Sequence, residues 1–210
     1  MEKIFVVKFT GPFGFIKPWT AVRDSETYSQ QFLTPSIVAG MERKLFPELL
    51  KDDDGEIKKI VGHRLSYKQV SIQKEVTQTR GWNSMKPSGE DYKIYSRGKI
   101  DGKKVSFTPI DRGVFIEPVL WLAFSKAEDA KKASKEHICL CRNEDMLYPE
   151  DEIVEVFRNE FDTDEDLFAG FELIFERTEE SFMVGYNRLK NNEAMYGYLK
   201  VVGTPVKNNY

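Results

Sequence analysis

Histidine is the side chain used most often for acid–base catalysis, and the chain holds only two, His63 and His137. His137 lies two positions after Lys135 at the end of a lysine-rich segment. Metal-free cleavage of RNA needs a base for the 2′-hydroxyl, an acid for the leaving oxygen and cationic donors for the phosphorane. His137, Lys135 and Tyr28 are therefore the candidate catalytic set. The alternative is a structural role, which is the commoner role of a lone histidine.

The two cysteines, Cys139 and Cys141, form an H-x-C-x-C pattern with His137. Structural zinc sites generally use C-x-x-C pairs and four ligands, and the sequence holds no second cluster. The motifs of nucleotide-binding proteins, hydrolases and zinc proteases are also absent. We expect no metal and no cofactor, and we interpret the cysteines as reduced thiols on a strand.

Cationic and aromatic side chains are interleaved in residues 17–23 and 78–104, a pattern typical of proteins that hold single-stranded RNA by base stacking and phosphate contacts. Residues 57–113 carry 13 basic and 5 acidic side chains, a net charge of +8, whereas residues 114–210 carry a net charge of −9. A surface for a polyanion explains this asymmetry, and so does attraction between the two parts of the chain. In the first case the acidic final third faces away from the RNA. The candidate RNA-binding residues are Lys17, Trp19, Arg23, Arg43, Lys44, Arg64, Lys68, Lys74, Arg80, Trp82, Lys86 and Arg97.

Strands and helices must position these side chains. Residues 2–10 are rich in β-branched and aromatic side chains, which predicts a central strand. Thr34 and Pro35 suit the N-cap and first position of a helix over residues 34–47. Gly40 destabilises that helix by about 1 kcal/mol relative to alanine, so we expect a packed strand or a phosphate to approach its backbone, and packing is the commoner cause. Further strands are predicted at residues 57–61, 65–77, 92–100, 103–110, 114–124 and 138–142, with a second helix at residues 125–137.

The predicted order of elements is close to the β-α-β-β-α-β order of ferredoxin-like domains, which many RNA-binding proteins use. We predict an α+β chain whose residues 1–142 form a ferredoxin-like, RRM-type domain with a protruding β-hairpin thumb at about residues 78–110. Asp101-Gly102 supplies a two-residue turn for this hairpin. Residues 143–210 are predicted to form an acidic linker and a small antiparallel sheet. The first apolar run is too short for a membrane span, so we expect a cytoplasmic protein without membrane contact.

Both ends of the chain resemble one protein family. Residues 15–19 (FIKPW), 24–28 (DSETY) and 34–45 (TPSIVAGMERKL) are similar to the phrases FTRPE, ERVSY and TPSAARGILEAI. These phrases follow the first strand in the type I-C branch of the CRISPR-associated Cas five family, the RAMP subunit at the foot of type I Cascade. Residues 168–202 are similar to the family's C-terminal phrases LGLMLYDIDY, PLFFRA and NGVI. The middle of the chain resembles the family more weakly.

The resemblance implies a ferredoxin-like RAMP domain whose long hairpin acts as a thumb. It further implies a crRNA-binding role in antiviral defence: the subunit grips the 5′ handle of the crRNA and caps the filament of Cascade backbone subunits, next to the large subunit. Target DNA is then reached only through the complex. Type I-C members also act as endoribonucleases that cut pre-crRNA without metal, using a tyrosine at the end of the first helix and an adjacent Lys-His pair.

This sequence departs from the family at both catalytic positions. Phe46 stands at the position of the tyrosine, and the Lys-His pair is spread over Lys135-Glu136-His137. Three functions therefore remain open: a handle-binding subunit that also cuts pre-crRNA, a non-catalytic capping subunit, and an unrelated RNA-binding protein of ferredoxin-like fold.

Overall fold

The computed structural model describes residues 2–19, 26–51, 56–78, 99–100, 103–104, 107–187 and 191–207. The strands are β1 (Lys3–Thr10), β2 (Phe13–Gly14), β3 (Glu26–Tyr28), β4 (Ile60–Ser66), β5 (Gln69–Gln78), β6 (Lys99–Ile100), β7 (Lys103–Lys104), β8 (Phe107–Ile116), β9 (Val119–Phe124), β10 (Ile138–Cys139), β11 (Met146–Phe157), β12 (Gly170–Ile174), β13 (Phe182–Asn187) and β14 (Glu193–Val202). The helices are α1 (Pro35–Leu45), α2 (Ala127–Ala133) and α3 (Arg158–Thr163), with a 3-10 helix at Pro47–Lys51. Within these ranges, no helix has the length and hydrophobicity needed to cross a membrane.

The main sheet has eight antiparallel strands in the order β10-β11-β1-β9-β4-β12-β14-β13. β1 lies inside this sheet, between β11 and β9, because apolar side chains alternate onto both of its faces. Ile4 and Val6 are fully buried on one face, and Val7 and Phe9 are fully buried on the other.

Helices α1 and α2 cover the face of the sheet that carries Val7 and Phe9. Their buried apolar side chains share that face's core, with Val38, Met41 and Leu45 from α1 and Ala130 and Ala133 from α2. Phe161 of α3 and the following Phe168 pack on the opposite face with Ile4 and Val6. The sheet is therefore a middle layer, and burial of both faces supplies the main stabilisation of the fold.

Glu42 fastens α1 to the start of β4. Its side chain is buried, and its carboxylate accepts hydrogen bonds from the backbone N–H groups of Lys58, Lys59 and Ile60. A carboxylate tolerates burial only where donors replace its water, and three N–H groups do so here. This contact fixes how far along the sheet α1 lies.

Arg64 is a correction to the sequence analysis, which places it among the RNA-binding residues. It is fully buried in β4, where its guanidinium forms an ion pair with Glu172 of β12 and lies 3.2 Å from a carboxylate oxygen of Asp162. The guanidinium carbon also lies 4.6 Å from the centre of the Phe161 ring. Burial lowers the pKa of Arg64 to about 10, so it stays charged at neutral pH. Its charge is paired with carboxylates inside the protein, and the buried side chain is not available to a phosphate.

A second sheet contains β2, β3, β5 and β8. β5 and β8 form an antiparallel ladder from Gln69↔Ile116 to Gln78↔Phe107, and β3 pairs with the same β8 in parallel. Most of the predicted thumb, including residues 79–98, lies outside the described residues. β6 and β7 pair Ile100 with Lys103, as the predicted two-residue turn requires, although Asp101 and Gly102 are themselves outside the described residues.

The structure confirms the predicted α+β class, the first strand and the first helix. Thr34 is the N-cap residue of α1 and Pro35 is its first residue. The antiparallel strands predicted near the C-terminus are also present as β12, β13 and β14, but they continue the main sheet because β12 pairs with β4. The division of the chain at residues 142 and 143 stays a prediction.

β11 is the largest element that the sequence analysis does not predict. The expected strand at residues 138–142 is limited to the two residues of β10. The twelve-residue β11 pairs with β10 at its start and with β1 along most of its remaining length. β11 has acidic residues at four of its twelve positions, and most of its side chains are at least partly exposed. Charged side chains are common on strands near the edge of a sheet, where they obscure the alternation of apolar residues.

Candidate nucleic-acid interface

A cavity of about 340 Å³, which we call the Lys17 cavity, lies between the loop after β2, one side of α1 and the strands β13 and β14. The loop contributes Lys17 and Trp19, and α1 contributes Arg43. Two of these are cations and one is an aromatic residue, and all three are predicted RNA-binding residues. Arg43 lies in the last turn of α1 and Lys17 is exposed.

Two aromatic rings form part of the wall of the Lys17 cavity. The rings of Trp19 and Tyr186 meet edge to face, with centroids 6.0 Å apart and planes at 85°. Trp19 is 44% exposed and Tyr186 is 50% exposed, so each ring also presents surface to solvent. A bulge in the ladder between β13 and β14 precedes Tyr186, and its Gly185 has φ +133°, a conformation that few residues other than glycine adopt.

Gly40 leaves the backbone of α1 uncovered beside this cavity. It is exposed, and apart from its two chain neighbours and the adjacent backbone of α1, no atom of the described residues lies within 4 Å of the position that a Cβ would occupy. The expected packing of a strand against Gly40 is therefore wrong for the described part of the chain. The other cause of a helix glycine considered above, a phosphate close to the backbone, remains.

A second cavity of about 510 Å³, the His137 cavity, lies on the other side of α1. Lys44 and Cys139 line it together with His137. Three residues of α1, namely Ser36, Ile37 and Gly40, line both cavities. The exposed backbone at Gly40 therefore connects a cationic, aromatic cavity to one that contains a half-buried histidine.

The structure does not bring the three candidate catalytic side chains together. Tyr28 lies in β3 of the second sheet, where its hydroxyl donates a hydrogen bond to Glu26 at 2.9 Å. That hydrogen bond and the negative charge of Glu26 raise the pKa of Tyr28, so its phenol stays protonated at neutral pH. Lys135 is exposed after α2, and the lysine that lines the cavity with His137 is Lys44, whose ammonium lies 3.3 Å from a carboxylate oxygen of Glu136.

Phe46 is fully buried at the end of α1 and packs edge to face on Phe124. The ammonium groups of Lys59 and Lys132 lie 4.4 Å and 5.3 Å from the centre of its ring. The Phe46 ring is buried and contacts two ammonium groups, so its role is packing and cation–π contact. The side chain at position 46 therefore presents no group to a molecule bound in either cavity.

His63 lies in the core of the main sheet. The ring of His63 is buried in β4 and stacks on Phe175 at 5.5 Å. Burial, with the charges of Arg64 and Arg158 nearby, lowers the pKa of His63 to about 3, so this histidine is neutral at physiological pH. Its environment is that of a packed core residue.

The remaining predicted RNA-binding residues are dispersed. Lys68 is exposed and forms an ion pair with Glu117 at 2.8 Å, and Lys74 is exposed on β5. Arg23, Arg80, Trp82, Lys86 and Arg97 lie outside the described residues.

Sequence reasoning missed the contribution of the C-terminal strands to the Lys17 cavity. Tyr186 and Met195 belong to the acidic final third, which was expected to face away from RNA. The signal available was the phrase Gly185-Tyr186, because a glycine inside a predicted strand indicates a bulge or a close approach of backbone.

Comparison with solved structures finds 13 chains that are similar to this one. No protein-family model matches the chain, and no curated protein matches it. A solved chain of a "CRISPR RNA-guided surveillance complex" aligns with 97% of this chain and 90% of its own length, with a TM-score of 0.49 and 11% sequence identity. A match with so low a TM-score and sequence identity does not establish a function for this chain.

Proposed function

We propose that this chain is the crRNA-binding subunit of a type I CRISPR surveillance complex, which grips the 5′ handle and caps the backbone filament. The order β1, α1, β4, β9, α2, β11 along the chain, with β11-β1-β9-β4 adjacent in the sheet, supports a ferredoxin-like RAMP domain. The observation that carries the proposal is the Lys17 cavity and its opening onto the bare backbone at Gly40.

The Lys17 cavity offers the contacts that single-stranded RNA requires. Exposed surface on Trp19 and Tyr186 suits base stacking, which is sequence-tolerant and contributes about 1–3 kcal/mol per base. Lys17 and Arg43 place two cations beside those rings. The cavity also contacts the first turn of α1, which carries no acidic residue, so the partial positive charge of the helix start favours a phosphate there.

Lys17→Ala should weaken binding of single-stranded repeat RNA on the order of tenfold and lower the slope of log K against log salt by about 0.7, because one phosphate contact is lost. Fluorescence anisotropy across a salt series measures both quantities. Lys126→Ala is the control, since Lys126 is also an exposed lysine, lies just after the end of β9 and does not line the Lys17 cavity. Equal effects of the two variants would contradict the proposed site.

Gly40→Ala should change stability and RNA affinity in opposite directions. The helix gains up to about 1 kcal/mol because alanine has the better propensity, and the new methyl group meets no described atom within 4 Å. The same methyl group stands where RNA would cross α1, so affinity should fall severalfold. Urea denaturation and anisotropy measure the two changes. A stability gain with unchanged affinity would show that RNA does not pass over Gly40.

The second candidate function, a capping subunit that also cuts pre-crRNA, has less support from the site. Phe46 is buried and Tyr28 lies in another sheet, so binding without cleavage is favoured. The repeat-RNA samples used for anisotropy, kept in EDTA and analysed on a gel, separate the two candidates. Intact RNA supports the non-catalytic form, whereas cutting that His137→Ala abolishes supports the endoribonuclease.

The proposed partners are the crRNA, the backbone subunits and the large subunit of the complex, with target DNA contacted only through that assembly in the cytoplasm. Sequencing the RNA that co-purifies with the chain distinguishes this role from that of an unrelated RNA-binding protein. Repeat-derived 5′ ends support the proposal, and a mixed RNA population would remove it.

A further inference from the structure

A third cavity, the Tyr148 cavity, measures about 640 Å³ and lies at the end of the main sheet where β1 and β4 finish and β9 begins. Tyr148, Lys68 and Lys207 line it, and all three are exposed. Its composition, an exposed aromatic ring with two lysines, is similar to that of the Lys17 cavity.

Two contacts join the Tyr148 cavity to the His137 cavity. The ring of Tyr148 lies 6.2 Å from the ring of His137, which lines the His137 cavity. The hydroxyl of Tyr148 also donates a hydrogen bond to the Sδ atom of Met146 at 3.6 Å, and Met146 lines that same cavity. The two cavities are therefore neighbours, separated by the width of one aromatic side chain.

The Tyr148 cavity is built by segments that are fixed before any ligand arrives. The N–H of Glu117 donates to the carbonyl of Pro12 at 3.0 Å, and the N–H of Lys207 donates to the carbonyl of Tyr67 at 3.1 Å. Glu117 itself has φ +50°, a strained conformation for this residue, and strained backbone is concentrated at functional sites. Binding there would require little ordering of the protein.

The two lysines that line the Tyr148 cavity can bind a phosphate. Lys68 forms an ion pair with Glu117, but both side chains are more than half exposed, and such surface pairs are weak and easily replaced. Exposed Lys207 adds a second ammonium group on the cavity wall. Stacking on Tyr148 with phosphate contacts from the two lysines would hold one nucleotide.

We infer that the RNA path continues from the Lys17 cavity over Gly40, past His137, and into the Tyr148 cavity, which holds one further nucleotide. This inference rests on the proposed function, because it extends the same bound strand. The path runs through three cavities in which each pair of neighbours shares residues or side-chain contacts.

The test is a length series of single-stranded RNAs of about 4 to 16 nucleotides, the range of common single-strand binding sites. Tyr148→Ala should leave binding of the shortest RNA unchanged and weaken binding of the longest by about 5- to 150-fold, the factor expected for one lost stacking contact. Tyr148→Phe keeps the ring and should restore the affinity. Ultraviolet cross-linking of the longest RNA, followed by mass spectrometry, should label a peptide that contains Tyr148.

Lys68→Glu has a matched control in Lys3→Glu. Both lysines are more than half exposed and paired to an exposed glutamate, Lys68 to Glu117 and Lys3 to Glu155, but Lys3 lies at the opposite end of β1. Only Lys68→Glu should weaken binding of the longest RNA. If the unchanged protein binds no RNA, the proposed function fails. If it binds RNA and neither Tyr148→Ala nor Lys68→Glu alters any length, the function stands and the extended path is refuted.

Discussion

Replacing Arg64 by methionine should lower the free energy of unfolding by about 3–5 kcal/mol, because one partner of a buried ion pair is lost and the other charge is left uncompensated. Glu172, the stranded partner, is itself buried in β12. Methionine fills much of the volume of the arginine, so a cavity contributes little to the expected loss. Urea denaturation followed by circular dichroism measures the change.

A double-mutant cycle separates the ion pair from general damage to the core. Glu172→Gln removes the second charge and keeps an acceptor for the N–H of His63, which donates to Glu172 at 3.2 Å. The double variant should recover part of the loss, with an interaction energy of about 0.5–3 kcal/mol. Its RNA affinity should equal that of the unchanged protein, since Arg64 is buried. Weaker RNA binding by a folded double variant would restore Arg64 to the RNA-binding residues.

Glu42→Ala should destabilise the protein by about 2–4 kcal/mol, because hydrogen bonds to charged groups each contribute about 1.5–3 kcal/mol and are not additive. Three backbone N–H groups, those of Lys58, Lys59 and Ile60, lose their common acceptor. Ile60 begins β4 in the buried part of the sheet, so its N–H has limited access to replacement water. Thermal and urea unfolding report the loss.

Two further variants provide stability losses with which the loss for Glu42→Ala can be compared. Glu42→Gln retains one acceptor oxygen and should lose clearly less stability than Glu42→Ala. Glu136→Ala removes a carboxylate that is half exposed and paired only at the surface with Lys44, and surface pairs contribute about 1 kcal/mol at most. Similar losses for Glu42→Ala and Glu136→Ala would mean that Glu42 does not anchor α1.

Local chemistry was sufficient to predict several elements. Thr34 and Pro35 mark the start of α1 because a cap residue and a proline each have a physical preference for those positions. The apolar run of β1 predicts a buried strand because both faces of that strand are covered. Lys17, Trp19 and Arg43 were predicted RNA-binding residues, and the fold brings these three to one cavity.

Contacts between distant parts of the chain explain what the sequence did not reveal. An arginine such as Arg64 is expected at the surface when only the sequence is considered. Its burial depends on the ion pair with Glu172, which lies 108 positions later in the chain. Tyr186 reaches the Lys17 cavity through a bulge whose effect depends on the neighbouring strand. Gly40 fits either of two causes in sequence, and the open space beside it excludes only the packing of a described strand.

The Lys17 cavity takes its walls from Lys17 near one end of the chain and from Met195 near the other. A ribosome releases the chain from its amino end, so this groove does not exist until β14 has left the exit tunnel and joined β12. Chains still under synthesis therefore present the loop of Lys17 and Trp19 without the opposing wall. The proposed RNA site is therefore complete only after β13 and β14 have joined the main sheet.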